Sequence, residues 1–293
     1  MFLHPGEQGS VRKRLFLLWG GNIMDKERRL NHIFGKDGKT IIVALDGFGF
    51  SDNTDGVDYS VRSVKGLAKH GLNAALVTYG QAQLFQKDLL DIPIILRVDG
   101  STGIFDPKVP TTDLFFDVED ALKLGAEGVV CMPFPGGENG KESQSYHMIA
   151  KLAKQSEEWN VPLLAETLPV TYAVDPDDPR TDDPHYISTV ARIGVEYGAD
   201  VIKTLFTGDI QVDKKIVENV HKPCVALGGP KTDNETYFKY VYNLMLAGVK
   251  GIACGRNITK DPNPVGKVAA LNAIIHENKS VEEALKIYSE VTE

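Results

Sequence analysis

The chain of 293 residues is long for a β-sandwich and close to the ~250 residues that a closed barrel of eight strands and eight helices takes. With 42% apolar and 25% charged residues it can bury a sizeable core, and the composition argues against disorder. Lys and Arg number 32 against 40 Asp and Glu, a formal charge of −8 that speaks against a non-specific nucleic-acid or anionic-membrane surface, so an anionic ligand needs a local site.

In chain order, the opening "MFLHPGEQGSVRKRLFLLWGGN" has a short apolar run but no small-residue cleavage site after it, so a signal peptide is not expected and a cytoplasmic location is. No apolar run reaches the roughly 18 residues that suggest a membrane span. The segment 25–35, "DKERRLNHIFG", reads as a short helix closing a barrel floor, which makes residues 1–38 an N-terminal extension and 39–293 a single barrel domain.

Eight short apolar runs follow: "TIIVALD" (40–46), "NAALVTY" (73–79), "PIILRVD" (93–99), "EGVVCMP" (127–133), "VPLLAET" (161–167), "ADVIKTL" (199–205), "PCVALGG" (223–229) and "KGIACGR" (250–256). Most are nearly continuous rather than alternating, as expected of parallel strands covered on both faces. Between them lie helical patterns at 58–71, 117–126, 145–160, 183–199 and 234–249, several opened by acidic or Asn residues and closed by Gly. Strand and helix alternate throughout, which predicts an α/β fold, a TIM (β/α)8 barrel, with a doubly wound open sheet sharing the local signature. Cys131, Cys224 and Cys254 lie in three different runs without CxxC spacing and are expected to pack in the core. The acidic, Pro-rich stretch 173–184 after the fifth run reads as an excursion of the active face rather than a domain boundary.

Reacting groups of such barrels sit at the carboxyl ends of strands. The polar residues there are Asp46, Tyr79, Arg97, Asp99, Glu166 and Lys203, followed by the turns "GGPK" and "GRN". Lys203 stands out because a lysine between apolar surroundings and solvent is what an imine-forming nucleophile needs: only the neutral amine attacks a carbonyl. The competing reading is that it snorkels to solvent or pairs with Asp46 or Glu166. On the next two runs, "LGGPKT" (227–232) and "CGRN" (254–257) end in glycine turns where this architecture often holds a phosphate, with Arg256 as an added clamp. The histidines show no HxH or HxxxH spacing, so a metal-dependent mechanism has no visible ligand set.

"GADVIKTLFTGD", "GGPKT", "AGVKGIACGRNI" and "HENKSVEEALK" together resemble the class I aldolases of the archaeal fructose-bisphosphate aldolase type, in the DeoC/FbaB superfamily, from about residue 25 to the C-terminus. That group includes aminodideoxyheptulosonate synthase and the phospho-autoinducer-2 thiolase. The resemblance implies a Schiff base on Lys203 with no other cofactor, a small phosphorylated carbonyl substrate, and a homo-oligomer. It also implies that Gly228, Gly229, Gly255 and Arg256 hold the phosphate, with Lys231 beside them.

The sequence departs from the pattern in three places. Gly47 stands where the family has His after the aspartate kept here as Asp46. Leu168 takes the position of the proton-shuttling tyrosine, and Leu227 replaces a small residue before the Gly-Gly pair. With that tyrosine absent, the proton carrier is expected among Glu166, Tyr79 and Tyr172, with Glu166 preferred. The expected activity is a metal-independent class I aldolase of a phosphorylated ketose or related carbonyl compound. An imine-dependent acyl- or ketol-transferase is the second reading, and a non-catalytic phosphosugar-binding barrel the third.

Overall fold

A computed structural model describes residues 26–50, 55–101, 112–136, 141–175, 177–229 and 231–292. Its strands are β1 (Thr40–Ala44), β2 (Ala74–Val77), β3 (Ile94–Arg97), β4 (Asp99–Ser101), β5 (Thr112–Leu114), β6 (Gly128–Cys131), β7 (Leu163–Glu166), β8 (Val201–Thr204), β9 (Cys224–Leu227) and β10 (Gly251–Cys254). The helices are α1 (Lys26–Ile33), α2 (Val57–Ala68), α3 (Tyr79–Leu84), α4 (Val118–Lys123), α5 (Lys141–Trp159), α6 (Val170–Val174), α7 (Pro184–Glu196), α8 (Ile210–Val220), α9 (Asn234–Ala247), α10 (Arg256–Thr259), α11 (Pro264–Ile275) and α12 (Val281–Glu290).

Eight parallel strands close into a barrel in the order β1-β10-β9-β8-β7-β6-β3-β2. These are the eight apolar runs of the sequence, and their burial explains the continuous hydrophobicity: the residues of β2, β3, β6, β7 and β8 are all buried. Helix starts follow the acidic capping residues, Asp117 before α4, Asp209 before α8 and Asp233 before α9, each side chain accepting backbone N–H groups of the first turn. α9 ends on Gly248 at φ 95°, a left-handed position that glycine adopts without strain.

Two apolar layers result. The larger lies between barrel and helices, while Ile42, Leu76, Ile95, Val130, Leu164, Val201, Val225 and Ala253 fill the barrel interior. Ile33 and Phe34, at the end of α1, pack against this interior cluster from below. The Thr40 hydroxyl fastens α1 by donating to the Ile33 carbonyl at 2.7 Å. The first 25 residues of the expected N-terminal extension lie outside the described residues.

One element is additional to the expected rhythm. β4 and β5 form an antiparallel hairpin directly above β3, with Asp99 opposite Leu114. The barrel seam between β1 and β10 depends on Gly251, whose φ is 134° and where a Cβ would stand 1.9 Å from the Thr40 carbonyl oxygen.

Candidate active site

Side chains alternate along a strand, so a residue two beyond an interior one is also interior. Arg97, Glu166 and Lys203 stand two beyond Ile95, Leu164 and Val201, which places them in the layer above the apolar filling, at the carboxyl end of the barrel. β7 and β8 are in register with Glu166 opposite Lys203, and the ammonium lies 2.8 Å from the Glu166 carboxylate. Both side chains are almost wholly buried, at 5% and 3% exposure.

Arg97 binds the rest of this layer together. Its Nε and Nη2 donate to Asp46 at 2.8 and 2.5 Å, Nη1 donates to Asp99 at 3.2 Å, and Nη2 also donates to Glu166. Asp99 accepts the Met132 backbone N–H at 2.9 Å through its other oxygen. The layer therefore holds three carboxylates and two cations, a formal charge of 2 − 3 = −1. Burial opposes the charge on Arg97, but Asp46, Glu166 and Asp99 outweigh it and hold the guanidinium well above its ordinary pKa. Burial likewise raises Glu166, yet Lys203 and Arg97 prevail and keep its carboxyl below the usual range. Asp99 goes the other way: burial pushes it up more than Arg97 and the Met132 N–H pull it down.

The loops carry these residues on firm supports. Gln81, buried at the start of α3, donates to the Leu45 carbonyl at 3.0 Å and accepts the Thr78 N–H at 3.0 Å, tying the end of β1 just before Asp46 to the end of β2. The Thr-Gly-Asp turn after β8 hangs on Asp213 of α8. This buried carboxylate accepts the Thr207 N–H and hydroxyl, each at 2.9 Å, and the Gly208 N–H at 2.8 Å. Lys203 is thus followed by a rigid turn.

The two glycine turns lie beside each other on β9 and β10. A Cβ at Gly228 would meet Cys254 Cβ at 2.4 Å, and one at Gly255 would meet the Ala44 carbonyl oxygen at 2.7 Å, so glycine is what lets each turn press against its neighbouring strand. Gly229 differs: its φ is 66° and the space around it is open. Asn257 donates to the Gly228 carbonyl at 2.9 Å, and the Lys231 ammonium donates to the Lys260 carbonyl, so the turns are joined at two points. Arg256 is exposed.

The structure brings Lys203, Glu166 and Asp46 together through Arg97. It does not bring Tyr79 into this layer: that ring stacks on Phe116 at 4.1 Å and 4°, and its hydroxyl accepts from Gln83. Tyr172, on α6 just beyond β7, is half-buried. Burial raises its pKa, with the Glu166 charge adding to the shift and Arg256 opposing it. Leu168, where the resemblance expects a tyrosine, is buried at 1% exposure. Arg97 and Asp99 were visible in the sequence as strand-end polar residues without a role. The signal was the alternation in "ILRVD", which puts an arginine on the interior face. Among the described residues no cluster of His, Cys, Asp and Glu has the arrangement to hold a metal ion, and no helix is long and apolar enough to cross a membrane.

A closed barrel of eight parallel strands with its charged residues gathered at the carboxyl end is the architecture of the aldolase barrels. The chain belongs to the DeoC/LacD family of aldolases, whose family model matches residues 40–261. It is 27% identical over 274 residues to an uncharacterized aldolase of Saccharolobus solfataricus, covering 90% of this chain and 99% of that protein. To the class 1 fructose-bisphosphate aldolase of Thermoproteus tenax it is 29% identical over 265 residues, covering 87% and 96%. The solved structure of a Schiff-base-forming fructose-1,6-bisphosphate aldolase superimposes with a TM-score of 0.76 at 27% identity, over 86% of this chain and all of that one.

Proposed function

We propose that the protein is a class I aldolase acting on a phosphorylated ketose or related phosphorylated carbonyl compound, with Lys203 as the imine-forming residue. The observation that carries this reading is the Lys203 ammonium, buried in the barrel mouth and 2.8 Å from the carboxylate of Glu166. A lysine can attack a carbonyl only after losing its proton, and Glu166 is the group within hydrogen-bond reach that can accept it. Lys203 and Arg97 keep Glu166 ionised and thereby make it a weak base, so the proton passes from Lys203 as the neutral amine is consumed by attack on the carbonyl.

Attack of the neutral amine gives a carbinolamine. Its hydroxyl leaves as water once protonated, and when the substrate hydroxyl on the carbon β to the resulting iminium loses its proton and becomes an aldehyde, the bond between the α and β carbons breaks and its electron pair passes to the iminium. The enamine so formed is reprotonated at carbon, and hydrolysis returns Lys203. Glu166 serves as base at Lys203. Tyr172, half-buried on α6 just beyond β7, is the hydroxyl assigned to donate and recover the proton at the substrate oxygen, the part the missing tyrosine at Leu168 would play. Asp46, fixed by two bonds from Arg97, faces the same layer and orients a substrate hydroxyl. The turns at Gly228, Gly229 and Lys231 and at Gly255 and Arg256 offer the phosphate backbone donors and two cations. Relatives named for fructose bisphosphate support a phosphorylated ketose as the substrate class.

The test is incubation with dihydroxyacetone phosphate, borohydride reduction and peptide mass spectrometry. An adduct on Lys203, absent in Lys203→Met, is expected. No adduct with a panel of phosphorylated ketones would overturn the imine reading and favour a barrel that only binds phosphosugars.

A further inference from the structure

Lys267 lies in α11, outside the barrel, at 1% exposure. Burying an ammonium there needs partners, and it has four: Asn234 Oδ1 at 2.5 Å, Asp261 at 3.7 Å, and the faces of Tyr237 and Phe238 at 4.7 and 4.8 Å from the ring centroids. The placement of the two polar partners is informative. Asn234 opens α9 and ends the β9 turn that begins at Gly228, while Asp261 follows α10 and ends the β10 segment that begins at Gly255. Asp261 is in turn anchored by the Tyr288 hydroxyl of α12 at 2.8 Å and by the Asn263 N–H at 2.9 Å.

Besides the Lys231–Lys260 bond, the two glycine turns are therefore clamped from two sides. In front, Asn257 holds Gly228; behind, one buried charge spans the far ends of both segments. A phosphate gripped by backbone N–H groups from two separate turns is held only while their spacing stays within about 0.5 Å of the productive geometry. We infer that Lys267 is a positioning residue for phosphate recognition: through Asn234 and Asp261 it sets the distance between the β9 and β10 turns without touching substrate. This inference rests on the reading that these turns hold the substrate phosphate.

The experiment compares borohydride trapping of Lys203 by dihydroxyacetone phosphate and by dihydroxyacetone, in the wild type and in Lys267→Met, which keeps the length of the side chain and removes its charge. The expected result is that half-saturation by the phosphorylated ketone rises about tenfold in the variant, while half-saturation by dihydroxyacetone and the limiting trapping rate stay the same. A purely structural defect would move both ketones alike, and that outcome, or no change with either, overturns the inference. If the wild type itself does not prefer the phosphorylated ketone, the phosphate reading of the turns fails first. Asn234→Ala cuts the clamp from the β9 side and leaves the Lys267–Asp261 pair in place; it should shift the same ratio in the same direction, and it decides the matter if Lys267→Met does not fold.

Discussion

Replacing Arg97 with Met would remove the one side chain that bonds Asp46, Asp99 and Glu166 together. Three buried carboxylates would then face Lys203 alone, a formal charge of 1 − 3 = −2 where the wild type has −1. At least one carboxyl must take up a proton. If its pKa rises from about 4 in the unfolded chain to about 7 in the folded variant, three units at ~1.36 kcal/mol give a loss of about 4 kcal/mol at pH 7. Truncating one partner of a buried pair costs about 3–5 kcal/mol, in agreement.

The pH dependence gives the sharper test. In the wild type Glu166 is held low, so its contribution is present above the unfolded pKa and fades as pH falls through the folded one. In the variant the raised carboxyl costs nothing at low pH and its penalty grows until pH passes its folded value. The first effect fades only as pH falls from about 4.5 towards 2, so between pH 4.5 and 8 the second alone changes the difference between the proteins, which grows with pH and is largest at pH 7 to 8. Urea denaturation followed by circular dichroism at pH 4.5, 6 and 7.5 would measure it. A loss below about 1 kcal/mol, or one that does not vary with pH, would refute the account of the layer as a charge-balanced unit.

Glu166→Gln keeps the shape of the layer but cannot accept the Lys203 proton, and should slow formation of the borohydride-trapped adduct about 100-fold or more; an unchanged rate would remove Glu166 from that role. Gly251→Ala is expected to abolish soluble folded protein, because the added methyl would lie 1.9 Å from the Thr40 oxygen at a φ of 134°, and a soluble variant with native thermal stability would contradict the closure described for β1 and β10. Asp213→Asn leaves one oxygen for donors that two now serve, at a cost of about 1–3 kcal/mol, and should expose the Thr207–Asp209 turn to limited proteolysis before the rest of the chain unfolds.

The barrel was legible because each of its strands is a short apolar run and each connection has room for a helix. The hairpin of β4 and β5 was not: "DGS" and "TDL" are three-residue strands without an apolar face, and their pairing is a tertiary event that periodicity does not encode. At the site, Lys203 and Glu166 could be singled out as charges inside strands, with a pairing of the lysine with Asp46 or Glu166 as the competing reading of its role. Register across strands is invisible in one sequence, so neither the direct opposition of Glu166 and Lys203 nor the convergence of Arg97 on Asp46 could be read. An arginine at a strand end ordinarily points to solvent, which is why Arg97 drew no role until its three partners were located. Tyr79 was attractive as a strand-end hydroxyl, yet a flat ring next to Phe116 gains more by stacking.

The seam between β1 and β10 also sets a schedule for synthesis. Thr40 pairs with Gly251, a sequence separation of 251 − 40 = 211. At about 5–20 residues per second, roughly 10–40 s pass on the ribosome between the appearance of β1 and that of the strand that will cover its open edge. During that interval β1 can pair with β2 on one side only, and its other backbone edge is a template for wrong partners. Nascent chains should therefore be most prone to aggregation, and most dependent on chaperones, until about residue 254 has emerged, with closure of the ring as the last and slowest event of folding.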